Sequence, residues 1–165
     1  MKTIYKFRTL LVLILILNVT NTKAQIIKAE IIATGLTCSM CSNAINKQLK
    51  SLPEVVNVET DLNTNTFTVT LKEDNNLSPK VFKEKVEKAG FFIGSLVVTA
   101  KAETIANTKY ILINENSESK SEIIFKVLDK GFVTEKEFKK LSKSFKNNTT
   151  YALNNEDDFH IKLIN

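Results

Sequence analysis

The sequence predicts an α+β fold in which a six-element unit precedes a smaller second unit. Three observations support this prediction. Strand-like runs rich in β-branched residues alternate with two segments of helical period. A Ser-Pro pair marks the start of the second helix. A stretch of small and polar residues, AKAETIANT, then separates residues 26–99 from the rest of the chain.

Residues 1–24 are interpreted as a secretory signal peptide. Lys2, Lys6 and Arg8 give a positive start, an apolar run of 11 residues follows over residues 9–19, and small Ala24 ends the segment. A membrane-spanning helix needs about 20 apolar residues. We therefore expect cleavage after Ala24 and export to the periplasm or cell envelope. We expect no stable membrane insertion of the mature chain.

A strand and a helix are predicted first in the mature chain. Residues 26–34, IIKAEIIAT, have strand composition, and Gly35 ends them. Over residues 39–51 the apolar side chains recur at helical spacing, with Ile45 and Leu49 on one face. Pro53 closes this helix.

Two strands, a helix and a fourth strand are predicted next. Residues 55–62 form a strand with Val56, Val58 and Leu62 on one side, and residues 66–71, TFTVTL, alternate between polar and apolar. Ser78-Pro79 begins the second helix, Gly90 ends it, and residues 91–99 form the last strand. The order β-α-β-β-α-β is that of a ferredoxin-like sandwich, with both helices on one face of a four-stranded sheet.

Residues 100–108 are interpreted as a linker and residues 109–165 as a small unit of unknown role. Strands are predicted at residues 109–114, 122–128, 151–153 and 159–164, with a helix after the capping box at Thr134–Glu137. The order β-β-α-β-β fits either a partly open barrel or an α+β layer. His160, the one histidine, is expected to be solvated on the polar face of its strand.

The charge of the chain excludes nucleic acid as a predicted partner. Removing the predicted signal peptide leaves 19 basic and 18 acidic residues and no arginine. The chain also shows no second histidine, no nucleophile motif and no glycine-rich phosphate loop. We therefore predict a protein that is not an enzyme.

The segment GLTCSMC holds the only two cysteines, Cys38 and Cys41. Cys38 is placed in the loop after the first strand and Cys41 in the first turn of the helix, where unpaired N–H groups favour a thiolate. Two thiolates suit a soft ion of low coordination number such as Cu(I), whereas structural zinc requires four ligands. A thiol-disulfide pair remains an alternative, since CxxC at a helix start is also a redox motif.

GLTCSMC resembles the GMTCxxC motif of heavy-metal-associated domains, which occur in copper chaperones, copper-pumping ATPases and mercury-scavenging periplasmic proteins. The resemblance continues through AINKQLKSLPEVVNVETDLNTNTFTV and VEKAGF, and we assign the domain to residues 25–99. It implies Cys38 and Cys41 as metal ligands and Phe91 as an apolar shield of the site. Leu36 replaces the family's usual Met, and Thr37 stands where an acidic residue accompanies zinc, cadmium or lead preference.

The sequence therefore predicts an exported protein that binds Cu(I) between Cys38 and Cys41 for transfer or sequestration. A metal-donor or metal-acceptor protein is the expected partner. Hg(II) scavenging and a periplasmic thiol-disulfide role are the alternatives, and Zn(II) is a further candidate ion. Gly35, Leu36 and Thr37 are expected to shape and anchor the loop. Met40 is expected to face solvent or a docking partner, with a role as third ligand as the alternative.

Overall fold

The computed structural model describes residues 25–106, 109–113, 121–145, 150–151 and 158–164. The predicted signal peptide at residues 1–24 lies outside these ranges. None of the helices within them has the length and apolarity that a membrane crossing requires.

The described residues form an α+β structure of seven strands and three α-helices around one open sheet. The sheet has the order β2-β3-β1-β4-β6-β7-β5 and is not closed into a barrel. The elements in chain order are β1 (Ile26–Thr34), α1 (Ser39–Lys50), β2 (Val55–Asp61), β3 (Thr66–Leu71), α2 (Pro79–Lys88), β4 (Phe92–Lys101), a 3₁₀ helix (Ala102–Ala106), β5 (Tyr110–Leu112), β6 (Glu122–Val127), α3 (Glu135–Ser144) and β7 (Phe159–Leu163).

The first six elements form the predicted ferredoxin-like unit. The four strands lie in the order β2-β3-β1-β4, and each neighbouring pair is antiparallel. The helices α1 and α2 pack against each other, and they also contact β2 and β4 respectively. This order and connectivity define the ferredoxin-like sandwich, so the predicted fold class is confirmed.

The core of this unit consists of apolar residues that recur in the sequence at helical and strand spacing. Ile45 and Leu49 of α1 are fully buried, as are Phe82 and Val86 of α2. The apolar residues of β3 are buried, while its threonines are half-buried or exposed. Burying each such large apolar side chain contributes roughly 1.5–3 kcal/mol, and these contacts fix α1 against the sheet.

Val56, Val58 and Leu62, which were predicted on one side of a strand over residues 55–62, differ in burial. Val58 is buried, but Val56 and Leu62 are exposed. The pairing of β2 with β3 has an irregular register between Val55 and Asn57, so Val56 lies in a bulge. Leu62 lies beyond the end of β2, in the turn toward β3.

The C-terminal strands join the first sheet instead of forming a barrel of their own. β6 pairs antiparallel with β4, β7 pairs antiparallel with β6, and β5 pairs parallel with β7. In the four-stranded unit alone, β4 would be an outer strand with unpaired N–H and C=O groups along one edge. β6 forms hydrogen bonds with these groups.

The segment expected as a linker is ordered over most of its length. β4 continues through Lys101, and residues 102–106 form the 3₁₀ helix. Within this helix Thr104 is fully buried, and its hydroxyl bonds both the backbone N–H and the carbonyl of Gln25 at 3.3 and 3.4 Å. This contact holds the segment against the start of β1.

The secondary structure predicted for the C-terminal unit is partly correct. β6 and β7 lie within the predicted strands, and the strand predicted at 109–114 shortens to β5. Thr134 caps α3, because its hydroxyl accepts a hydrogen bond from the N–H of Glu137 at 3.2 Å. The strand predicted at 151–153 is wrong at Tyr151, which is helical, while residues 152 and 153 lie outside the described ranges.

His160 is fully buried, and the expectation of a solvated side chain is wrong. Its Nδ1 bonds Asp129 Oδ1 at 2.7 Å, and its backbone N–H donates to Asp129 Oδ2 at 2.6 Å. Its Nε2 lies 3.0 Å from the hydroxyl of Thr150. The ring of Tyr151 stands edge-on to the imidazole at 5.0 Å. His160 does share a strand face with Lys162, but the helical segment at Thr150 and Tyr151 accounts for its burial.

The Asp129–His160 pair joins the loop after β6 to β7. Burial raises the pKa of Asp129, while the hydrogen bonds from the His160 side chain and backbone act in the opposite direction. Both carboxylate oxygens of Asp129 are hydrogen-bonded to His160. We infer that this pair fixes the position of the loop after β6 relative to β7.

We expect Asp129→Ala to lower the free energy of unfolding by about 3 kcal/mol, because it leaves the imidazole and a buried backbone N–H without their acceptor. Glu122→Ala, at an exposed position of β6, is the matched control and is expected to change stability by less than about 0.5 kcal/mol. Urea unfolding followed by circular dichroism measures both. A loss below about 1 kcal/mol for Asp129→Ala would show that the pair does not stabilise the unit.

Candidate metal centre

The cysteine loop leaves β1 at a glycine whose backbone requires a special conformation. Gly35 has φ +86°, a region that residues with a Cβ rarely adopt. A Cβ at this position would lie 3.9 Å from Cδ1 of Phe91. Next to it, the Thr34 hydroxyl donates to the carbonyl of Phe92 at 3.3 Å. The loop is thus fixed beside the start of β4, and Phe91 lies next to Gly35.

The loop is also anchored from inside. Leu36 is half-buried and packs against the hydrophobic core, as does Phe91. Thr37 and Cys38 are exposed. The chain therefore holds the loop through Leu36 while the following residues face solvent.

The two thiols lie at the N-terminus of α1. Cys38 is the N-cap residue, with extended backbone angles, and its carbonyl accepts the N–H of Cys41 at 3.1 Å. Cys41 lies in the first turn and is half-buried, whereas Cys38 is exposed. The two Sγ atoms are 3.0 Å apart, and both cysteines are free thiols. The first turn of α1 contains no acidic residue, so nothing there offsets the partial positive charge of the helix end.

The pKa of Cys41 is lowered from its ordinary value. The largest cause is the hydrogen bond with the side chain of Cys38, followed by a hydrogen bond from the backbone of Thr37. The Thr37 side chain adds a smaller effect in the same direction. Thr37 therefore favours the Cys41 thiolate, a role that sequence reasoning did not assign to it.

The donor set fits a soft ion held by two sulfurs. In the part of the chain that the structure describes, no group of three or more His, Cys, Asp and Glu side chains could hold a metal. Cys38 and Cys41 would hold such an ion between their two thiolates, whose sulfurs lie 3.0 Å apart. Cys38 is exposed and makes no side-chain cap bond to the helix, so its sulfur faces solvent on one side.

A shallow depression of about 280 Å³ opens beside Cys38. Leu62 and Asn65, from the turn between β2 and β3, line it together with Ser42 of α1. These three residues were missed from the sequence. The available signal was the turn sequence Asn63-Thr64-Asn65, but without the sheet order nothing placed that turn beside the cysteine loop.

Met40, which stands between the two cysteines in the sequence, is a large apolar side chain that is 81% exposed. Met40 thus faces solvent. His160 is bound by Asp129 in the C-terminal unit and forms no ligand group with the cysteines.

Comparison with known families assigns the segment that contains this site. Residues 30–92 match the family model of the heavy-metal-associated domain. This segment is a heavy-metal-associated domain. It contains Cys38 and Cys41 and extends from β1 to the first residue of β4. The C-terminal unit, from β5 onward, lies beyond the match.

Sequence and structure comparisons both give copper proteins. A copper-transporting ATPase of Saccharomyces cerevisiae is 42% identical over 57 residues, which are 34% of this chain and 6% of that protein. The chain thus spans only a small part of this relative. Among solved structures, the yeast copper transporter domain Ccc2a is 33% identical, with a TM-score of 0.36, and the alignment covers 41% of this chain and 90% of that one.

Two further structures give similar values. The N-terminal domain of a potential copper-translocating P-type ATPase from Bacillus subtilis, solved in its Cu(I)-loaded state, is 33% identical, with a TM-score of 0.36 and coverage of 41% of this chain and 82% of that one. A chain of the Atx1–Cu(I)–Ccc2a complex gives 37% identity, a TM-score of 0.35 and coverage of 39% of this chain and 88% of that one.

We expect Cys38→Ala to move the pH midpoint of Cys41 alkylation upward, because the hydrogen bond from Cys38 is the largest cause that lowers the pKa of Cys41. At neutral pH a smaller fraction of Cys41 is then thiolate, and its reaction with iodoacetamide slows. Rates measured from pH 5 to 10 give the midpoint. Since Met40→Leu leaves both thiols in place, Cys41 in that variant should keep the wild-type midpoint. A midpoint that stays unchanged in Cys38→Ala would contradict this assignment.

Proposed function

We propose that this protein binds one Cu(I) between Cys38 and Cys41 and exchanges it with a partner protein. The observation that carries the proposal is a pair of accessible thiols 3.0 Å apart at a helix N-terminus, inside a heavy-metal-associated domain. Among the described residues, no third His, Cys, Asp or Glu side chain completes a ligand group with them. Two thiolates with no further ligand favour a soft ion of low coordination number. The identity to a copper-transporting ATPase supports copper as that ion.

Exchange by ligand substitution fits the exposure of the site. Cys38 is exposed, and the depression lined by Leu62 and Asn65 opens directly beside it. A partner thiolate approaching from this side forms a bond to the metal before one sulfur of the pair leaves. The metal then never passes through water as a free ion. This role needs no chemical conversion of a substrate, so we propose a non-enzymatic carrier or sequestering protein.

We further propose that the carrier acts outside the cytoplasm. The support is the N-terminal sequence, with its basic start, its apolar run and Ala24. An exported pair of thiols meets oxidising conditions, and bound metal would protect the pair from oxidation. The alternative cargo Hg(II) uses the same two thiolates, and the thiol-disulfide alternative uses them without metal.

We expect the reduced protein to bind one equivalent of Cu(I), and Cys38→Ser and Cys41→Ser each to lower the affinity more than about a hundredfold. Loss of a supporting group around a metal ligand already costs roughly 10- to 100-fold, and here one of two ligands is removed. Competition against a Cu(I) chelator under anaerobic conditions measures the affinity. Met40→Leu is the matched control and should retain the wild-type value.

The outcomes of this titration separate the candidate functions. Equal affinity of the wild type and both serine variants would reject the metal site. Tighter binding of Hg(II) than of Cu(I) in the same competition format would favour the scavenger. Rapid thiol-disulfide exchange with a peptide disulfide, combined with weak Cu(I) binding, would favour the redox role.

We expect export to produce a protein that begins at Gln25. Expression of the full sequence in a Gram-negative host, followed by fractionation and mass spectrometry of the intact protein, measures its N-terminus and location. Replacing Leu13 and Leu15 by Lys interrupts the apolar run and should retain the uncleaved chain in the cytoplasm. Cleaved protein from this variant, or uncleaved wild-type protein in the cytoplasm, would contradict the proposal.

A further inference from the structure

A cleft of about 370 Å³ lies between α2 and the C-terminal unit, apart from the cysteines. Its volume is near the lower end of the roughly 300–1,000 Å³ that small-molecule pockets occupy. It therefore has room for a small metabolite rather than for a large cofactor. Neither the heavy-metal-associated domain alone nor the C-terminal unit alone forms it, since both contribute walls.

The floor of the cleft is aromatic. Phe132 and Phe159 are 5% and 3% exposed, and their rings meet edge to face at 5.9 Å. Phe92, at the start of β4, adds an exposed ring at one side. Such a floor favours a ligand with an apolar or aromatic body.

Lysine side chains stand over this floor. The Nζ of Lys83 lies 5.7 Å from the centre of the Phe132 ring. Gly131 permits this approach, since a Cβ there would lie 2.7 Å from Cε of Lys83. Lys130 also lines the cleft. In the described part of the chain no carboxylate lies within ion-pair distance of Lys83 or Lys130, so both are suited to an anionic group of a ligand.

Carboxylates line the same cleft. Glu87 follows Lys83 by about one turn of α2, toward Phe92, and Glu135 begins α3. The residue before Glu135, Thr134, lies close to Gly94 of β4, where an added Cβ would be 3.6 Å from its Cγ2. Asp129 lines the cleft as well, but His160 occupies both of its oxygens.

Lys80 and Asp158 add one charge of each sign to the lining. The cleft thus has an aromatic floor, and its lining contains both ammonium groups and carboxylates. A simple anion would be repelled by the carboxylates, and a simple cation would be repelled by the lysines. A ligand with one charge of each sign satisfies both groups.

We propose that this cleft binds a zwitterionic ligand with an apolar body, of the class of apolar and aromatic α-amino acids. The ligand carboxylate contacts Lys83 and Lys130, its ammonium group contacts Glu87 and Glu135, and its side chain lies on Phe132 and Phe159. The proposal does not rest on metal binding, because none of these residues belongs to the cysteine loop.

Isothermal titration of the metal-free mature chain with three probes tests the ligand class. We expect L-phenylalanine to bind at one site, and L-phenylalaninamide and N-acetyl-L-phenylalanine, each lacking one charge, to bind at least about tenfold more weakly. Equal affinity for the three probes, or no heat from L-phenylalanine up to its solubility limit, would overturn the proposal.

Matched variants on α2 test the position of the ligand. Lys83→Met keeps the aliphatic stem over Phe132, Glu87→Gln keeps its shape, and each should weaken L-phenylalanine binding about tenfold. Lys88→Met and Glu84→Gln, exposed on the same helix and outside the lining, should keep the wild-type affinity. Circular dichroism checks that each variant is folded. A loss of affinity in Lys88→Met and Glu84→Gln as large as in the cleft variants would refute this site. An unchanged affinity in both Lys83→Met and Glu87→Gln would refute it as well.

Discussion

The structure depends on β4 being hydrogen-bonded along both of its edges. On one edge it pairs with β1, whose last residue precedes the cysteine loop, and on the other it pairs with β6. Because unpaired backbone groups inside a protein are costly, neither partner can leave without exposing a row of donors and acceptors. The heavy-metal-associated domain and the C-terminal unit thus share one sheet. The same pairing brings α2 and the loop after β6 close enough to form a cleft.

The site is local in sequence, and this is why much of it could be predicted. A glycine at the end of a strand, an apolar loop residue and two cysteines at the start of a helix lie within seven positions, Gly35–Cys41. Their placement depends on short-range rules: positive φ at glycine, burial of Leu36 and the free N–H groups of a helix start. The turn carrying Leu62 and Asn65 reaches the site only because β3 pairs with β2 on one edge and with β1 on the other. No pattern in a single segment encodes that contact.

The same distinction between contacts within one segment and contacts between distant segments explains which parts of the fold could be predicted. The βαββαβ order could be predicted from the spacing of the apolar residues and from signals at the helix ends. Pro79 marks the start of α2, and Gly90 follows its end. The errors concern residues whose environment comes from a distant segment. His160 alternates as a surface residue would, yet Tyr151 and Asp129 enclose it. Likewise, the C-terminal strands had suitable composition for a sheet of their own, and the open edge of β4 could be recognised only once the first sheet was assembled.

The bulge at Val56 has a consequence for how copies of the protein behave at high concentration. β2 is an outer strand of the sheet, and a regular outer strand is a template to which a strand of another molecule can be added. An extra residue interrupts the spacing of the free backbone groups and increases the local twist. Asn57, Glu59 and Asp61 place polar side chains along the same strand. This edge is therefore a poor nucleus for cross-β aggregation.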